Sequence, residues 1–187
     1  MITMNDIIRD DNPNLRKKAS EIKFPLSDDL RKLASQMIQF LKNSQDEELA
    51  EKYDLRPGVG IAAPQLDLSK RMFAVHIPAD HEDEEDFSVI MINPRILSHS
   101  VKKTVLQDGE GCLSVDEPHE GYVPRKRRVT VEYYDLNGNK HKKRFKKFPA
   151  VVIQHELDHL NGVLFYDHIN KNEPFYLDDD TNIFEDN

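Results

Sequence analysis

In SDDLRKLASQMIQFLKNSQ the apolar residues Leu30, Leu33, Ala34, Met37, Ile38 and Leu41 recur at the three-and-four spacing of one helical face. Ser27 stands where an N-cap belongs, with two acids in the turn that follows, so the spacing predicts an amphipathic helix over 28–43. The pattern then breaks into RPGVGIAAPQ, a loop dense in Gly, Pro and small residues. RMFAVHIP and FSVIMINP read as short buried strands. In RRVTVEYYDLNGNKHKKRF the period changes to two: Val129, Val131 and Tyr133 alternate with other residues, and Asn137-Gly138 offers the positive φ of a tight turn, a hairpin signal. FPAVVIQHELDHLNG is again helical, with Pro149 near its first turn and a stop at Asn161-Gly162. The acidic tail, from about 178, is expected to fray. Two main helices among mixed strands predict an α+β fold: a single domain over 1–187, with mixed and antiparallel sheets packed around the second helix.

Composition narrows the class. Charged residues make up 32% of the 187-residue chain and mean hydropathy is −0.68. No run approaches the roughly 18 apolar residues of a membrane helix. MITMNDIIRDDNP meets charge within its first six residues, so no secretory signal is expected. The lone Cys112 has no partner in the chain, which suggests a reducing, cytoplasmic setting. A net charge of −8 argues against a general binder of nucleic-acid backbone, and no nucleic-acid specificity or membrane partner is expected. Two charge runs stand out. DHEDEED, 80–86, carries too much like charge to pack and reads as an exposed loop, and Arg125-Lys126-Arg127-Arg128 reads as a solvated strand start.

The chemistry begins in the second helix. Residues four apart on a helix differ by about 40° in direction, so His155 and His159 can aim their imidazoles at one metal ion. Glu156 sits about 100° round from His155, beside the ligands, where a carboxylate can handle a proton. A metal needs a further protein ligand. Downstream stand Asp158, Asp167, His168 and Glu173; upstream, Cys112 lies among glycines in DGEGCLSV, and a thiolate is a strong ligand for borderline metals. Four of the seven glycines, Gly58, Gly60, Gly109 and Gly111, fall in two short loops, a clustering that favours a site where backbone approaches a ligand.

Together, GVGIAAPQ (58–65), EGCLS (110–114) and QHELDHLNG (154–162) resemble the three signature motifs of the peptide deformylases, in the family's order and at every fixed position. The acidic segment before FSVIMINP and the continuation past YDHINKNEPF resemble the longer form found in Gram-positive bacteria. The resemblance implies a ferrous ion, Fe2+, held by Cys112, His155 and His159, with Glu156 as general acid and base. It implies Gln65 and the N–H of Leu113 as oxyanion donors. The backbone around Val59, Gly60, Gly111 and Leu113 would receive the peptide, and Val59, Val151 and Val152 are candidates for an apolar pocket, though core packing would also account for them. The substrate would be an N-formylmethionyl peptide, and the ribosome near the nascent-chain exit is a further candidate partner. The donor set itself also accepts Zn2+, Ni2+ or Co2+. Around these, Asp158 is either a ligand-orienting acceptor or an exposed helix acid, Glu110 fixes the loop or a substrate group, Arg125 reads first as an exposed strand residue and otherwise as the partner of an acid near the mouth of the site, and His76 as half-buried and structural. A zinc endopeptidase, which needs no cysteine, and a metal-holding binding module without catalysis are the competing readings.

Overall fold

A computed structural model describes residues 1–79 and 85–184. Two short 3-10 turns lead into α1 (Asp28–Gln45), whose N-cap Ser27 accepts the Leu30 N–H, and then α2 (Glu47–Tyr53). Strands β1 (Gly60–Ala62), β2 (Met72–Ile77), β3 (Phe87–His99), β4 (Lys103–Val105), β5 (Arg125–Lys126), β6 (Arg128–Tyr134) and β7 (Lys140–Lys146) follow, then α3 (Lys147–Leu160) and β8 (Thr181–Ile183). The fold is α+β. One antiparallel sheet runs β1-β2-β3-β6-β7, and a smaller one runs β5-β4-β8, with β4 and β8 parallel.

The unbroken apolar run of β2 has a simple cause: both of its faces are covered. Met72 and Ala74 pack with Met37, Phe40 and Leu41 of α1, while Phe73 and Val75 pack with Ile153 and Leu157 of α3. The β1–β3 part of the five-stranded sheet is therefore sandwiched between α1 and α3, whereas β6 and β7 are covered by α3 on one face, and α3 also touches β5 of the smaller sheet. In the hairpin, Val129, Val131, Tyr133 and Phe145 face α3, and the residues between them face outward. The connection is wider than a two-residue turn. The Asp135 carboxylate accepts the N–H groups of Asn137 and Asn139 at 2.8 and 2.9 Å, and Gly138 supplies the positive φ of +82°.

Several expectations need correction. The first helix runs two residues past 43, and α2 was not anticipated. FSVIMINP is only the first part of a 13-residue strand. The acidic tail does not simply fray from 178: Thr181–Ile183 pairs with β4, and Asp178 holds Lys103. Of the acidic run 80–86, residues 80–84 lie outside the described residues; Asp86 accepts the Ala79 N–H at 3.1 Å.

Candidate metal centre and active site

Helix α3 is buried on nearly every side, and its last two turns carry the histidines inward. His159 is 1% exposed and Glu156 3%. The helix ends at Asn161, and Arg71 donates to the Leu160 carbonyl and to Asn161 Oδ1, both at 3.0 Å, which satisfies an otherwise orphaned terminus. Gly162 follows at φ +74°; a side chain there would sit 2.4 Å from the Arg16 carbonyl oxygen.

Cys112 comes to the same place from a loop. Its Sγ lies 3.2 Å from His159 Nε2, and the ligand atoms of Cys112, His155 and His159 all fall within 4.8 Å of one another. Among the described residues this is the one group of three such side chains that could hold a metal ion, so the third candidate ligand lies upstream and none of the downstream candidates joins it. His155 donates from Nδ1 to Glu110 Oε2 at 2.8 Å, which turns its other nitrogen toward the cluster. Two imidazoles and a thiol converging in a buried site suit a borderline divalent cation. Two buried polar atoms beside them, His159 Nδ1 and Glu156 Oε2, have no hydrogen-bond partner among the described residues.

The electrostatics agree with a ligand set. Burial would raise the Cys112 thiol, but His159 and His155 outweigh it and hold the group well below its ordinary value, toward the thiolate a metal requires. Burial would likewise lower His155; Cys112 and Glu110 push it well above its usual range instead. Glu156 behaves oppositely to most carboxylates. Burial, only partly offset by His155 and His159, pushes it up to about 7, where it can both take and return a proton near neutrality.

A buried ionic network supports the cluster. Arg125, read from sequence as exposed, is 3% exposed: it grips Glu110 through Nε and Nη2, each at 2.8 Å, and Asp158 through Nη1 at 2.5 Å. Asp158 also receives His168 Nε2 at 2.8 Å, so this acid is a partner within the network, not a free helix acid. Burial works against the Glu110 charge, yet Arg125 and His155 hold its carboxyl at about 2. His76 is structural as expected, though more fully buried, at 4% exposure against Ser88.

A cavity of about 370 Å³ opens onto the cluster. Val59, Gly60, Gln65, Gly111, Cys112, Leu113, Val151, Val152, His155 and Glu156 all line it, and the buried His159 does not. Gln65 is 1% exposed; its Oε1 accepts the Ala62 N–H at 2.8 Å, and its Nε2 donates to Ser114 Oγ at 3.1 Å and points at Cys112 Sγ, 3.5 Å away. The Leu113 N–H makes no hydrogen bond among the described residues. Strand β1 is the sheet's edge. The His76 backbone N–H donates to the Val59 carbonyl at 2.9 Å, so in the alternating antiparallel ladder the N–H and C=O of Gly60 face away from β2, toward the open side. The glycine itself is demanded by Glu156: a Cβ at Gly60 would lie 2.2 Å from Oε1. At Gly111 a Cβ would meet nothing within 4 Å.

Sequence reasoning missed the residues that hold the two loops in place. Gln45, at the end of α1, donates to the carbonyls of Gly58 and His76 at 2.8 and 3.0 Å. Arg56 donates to the carbonyls of Cys112 and Val115 at 3.1 and 3.0 Å and to Asp116 at 2.8 Å. Neither carries a local signal; only the fold brings them to the site.

Comparison with known proteins agrees with this geometry. The family model described as polypeptide deformylase matches residues 4–175. Proteins named peptide deformylase from Ligilactobacillus salivarius and Listeria monocytogenes serotype 4b are each 56% identical over 186 residues. The alignments cover 99% and 98% of this chain and all of each relative, and both relatives come from Gram-positive bacteria, as the longer form implies. Among solved structures, the Met-Ala-Ser-bound class I type b peptide deformylase of Acinetobacter baumannii is 34% identical, with a TM-score of 0.69 over 87% of this chain and 96% of that one. The chain belongs to the polypeptide deformylase family, enzymes that hydrolyse the N-formyl group from the methionine of newly made peptides.

Proposed function

We propose that the whole chain is one catalytic domain, that Cys112, His155 and His159 hold a single Fe2+, and that Glu156 carries the proton. The observation that bears most weight is the buried Glu156 carboxylate, with Oε2 unpartnered, on the wall of a cavity that opens onto the three ligand side chains. When bound, the metal supplies Lewis acidity and lowers the pKa of water. The thiolate of Cys112 donates more charge than a third imidazole would, which leaves more of the proton transfer to Glu156. Its carboxylate accepts the proton of the water that attacks the formyl carbon. As the C–N bond breaks, it returns that proton to the leaving nitrogen, giving formate and a free amine.

Gln65 Nε2 and the Leu113 N–H are donors for the oxygen that gains charge during attack, each contributing about 3 kcal/mol. The peptide lies along the open edge at Gly60, with Gly111 leaving room on the facing loop, and its methionine side chain enters the apolar part of the cavity formed by Val59, Val151 and Val152. The Met-Ala-Ser peptide bound to the Acinetobacter enzyme supports a substrate of this kind. We further propose a cytoplasmic enzyme that meets its substrate near the ribosomal exit; no helix among the described residues is long and apolar enough to cross a membrane.

The test couples anaerobic metal analysis to formate release from formyl-Met-Ala-Ser. The wild type should carry one iron per chain and release formate. Glu156→Gln should keep the iron and lose on the order of 10²–10⁴-fold in kcat; near-normal turnover with iron bound would remove Glu156 from its role. Cys112→Ser should lose both metal and activity, whereas a zinc endopeptidase would keep both.

A further inference from the structure

One surface of this acidic chain has the opposite sign. Residues 125–147 hold ten of the 26 Lys and Arg but only two of the 34 Asp and Glu. The outward face of β7 presents Lys140, Lys142, Arg144 and Lys146, all exposed, at every second position, because Phe145 turns inward with His141 on the same side. At about 3.3 Å per residue the four cations form a line roughly 20 Å long. At one end of the line, Lys102, Arg127, Arg128 and Lys146 line a second cavity of about 750 Å³ with the polar Ser100 and Asn182. Arg128 lies directly opposite Lys146 in the ladder, a like-charge pair that works against the hairpin unless an anion lies between them. The one acid on this face, Glu132, is already engaged by Arg95 and Lys140. Among the described residues no carboxylate comes within ion-pair distance of Lys102, Arg127, Arg128, Lys142, Arg144 or Lys146.

We infer that this basic strip and the cavity at its end dock the phosphate backbone of RNA. A straight, evenly spaced row of cations suits a polymer with regularly spaced negative charge. It suits a protein partner less well: the outward β7 residues include no aromatic or aliphatic anchor of the kind that dominates protein interfaces, and the apolar lining of the cavity is limited to Val101 and Phe184. The choice of RNA over other polyanions rests on the reading of the chain as an enzyme of newly made peptides, whose substrates are present where RNA is abundant. The strip belongs to the face of the sheet turned away from α3, so an RNA held there leaves the catalytic cavity accessible. A lysine-rich edge strand also discourages edge-to-edge pairing, but that purpose alone needs neither the basic cavity nor Arg127 and Arg128.

The test uses the metal-loaded full chain and a fluorescein-labelled stem-loop RNA, read by anisotropy. Wild-type binding should weaken roughly 100-fold between about 50 and 200 mM salt if four phosphates are neutralised. The variant K142Q/R144Q/K146Q should bind at least about tenfold more weakly, whereas K18Q/K23Q/K32Q, which removes the same charge elsewhere, should match the wild type. Both should release formate from formyl-Met-Ala-Ser at the wild-type rate, which verifies folding and reads the enzymatic assignment separately from the binding. Equal losses in the two variants, no RNA binding at about 50 mM salt, or equal competition by polyglutamate or anionic vesicles would each overturn the inference.

Discussion

Glu156 and Gly60 show how closely single residues are matched here. The carboxylate that carries the proton in the proposed reaction sits where any other residue at 60 would place a carbon, 2.2 Å from Oε1. Gly60→Ala must therefore displace Glu156, and kcat should fall about 100-fold with metal content unchanged. Gly111→Ala, whose Cβ meets nothing within 4 Å among the described residues beyond its chain neighbours, should leave kcat near the wild-type value and raise KM, because the incoming peptide would feel it most. Steady-state kinetics on formyl-Met-Ala-Ser separates the two, and equal kcat losses would mean that Gly111 also shapes the catalytic geometry. The convergence of Cys112, His155 and His159 beside Glu156 was legible in the sequence because each lies in a short motif with fixed spacing. Sequence misjudged Arg125, since an arginine opening a basic strand gives no local sign that Glu110 and Asp158 converge on it from 15 and 33 residues away.

That convergence ties elements together. The network runs from the EGCLS loop through β5 to α3 and on to His168, so one arginine fixes the loop that brings Cys112 and the helix that brings the histidines. Glu110→Gln should destabilise the fold by about 3–5 kcal/mol near neutral pH, by leaving Arg125 buried with half its partners. The pH dependence has a definite sign. The folded carboxyl titrates at about 2, below its ordinary 4.5, so its stabilisation is complete above about 4.5 and fades as pH falls toward 2. Urea unfolding at pH 7 and at pH 3 should show the gap between wild type and variant narrowing on acidification; a constant gap would mean that lost packing, not lost charge, is responsible. The main helices, the hairpin and β2 were legible because each has a strong period or an unbroken apolar run. Helix α2 was not, because it rests on one local device: Asp46 leaves the helical conformation, accepts the Leu49 N–H and starts a new helix one residue after the last. The smaller sheet was hidden for a different reason, since three short strands drawn from 103–105, 125–126 and 181–183 have no local signature.

At the scale of the whole molecule, the proposed metal centre joins elements distant in sequence, so its occupancy and the stability of the fold should be coupled. At a metal concentration about 1,000 times Kd the stabilisation is about 4 kcal/mol, and for a chain of this size a chelator should lower Tm by roughly 8–16 °C. Cys112→Ser should melt near the chelated wild type and respond little to added metal; an undiminished response in calorimetry would show that the two histidines suffice. The α+β class followed from two main helices among mixed strands and the family from three motifs in order, whereas the split between an acidic body and a basic hairpin became visible only when the strand faces were resolved.

The open edge at Gly60 has a consequence for selectivity. An edge strand offers only N–H and C=O, groups that every peptide carries in the same places. On the proposed binding mode, each side chain beyond the first residue is left unread, pointing alternately along the groove and out of it. A catalyst built this way can serve an entire proteome with one pocket: it inspects the capped first residue and stays indifferent to the text that follows.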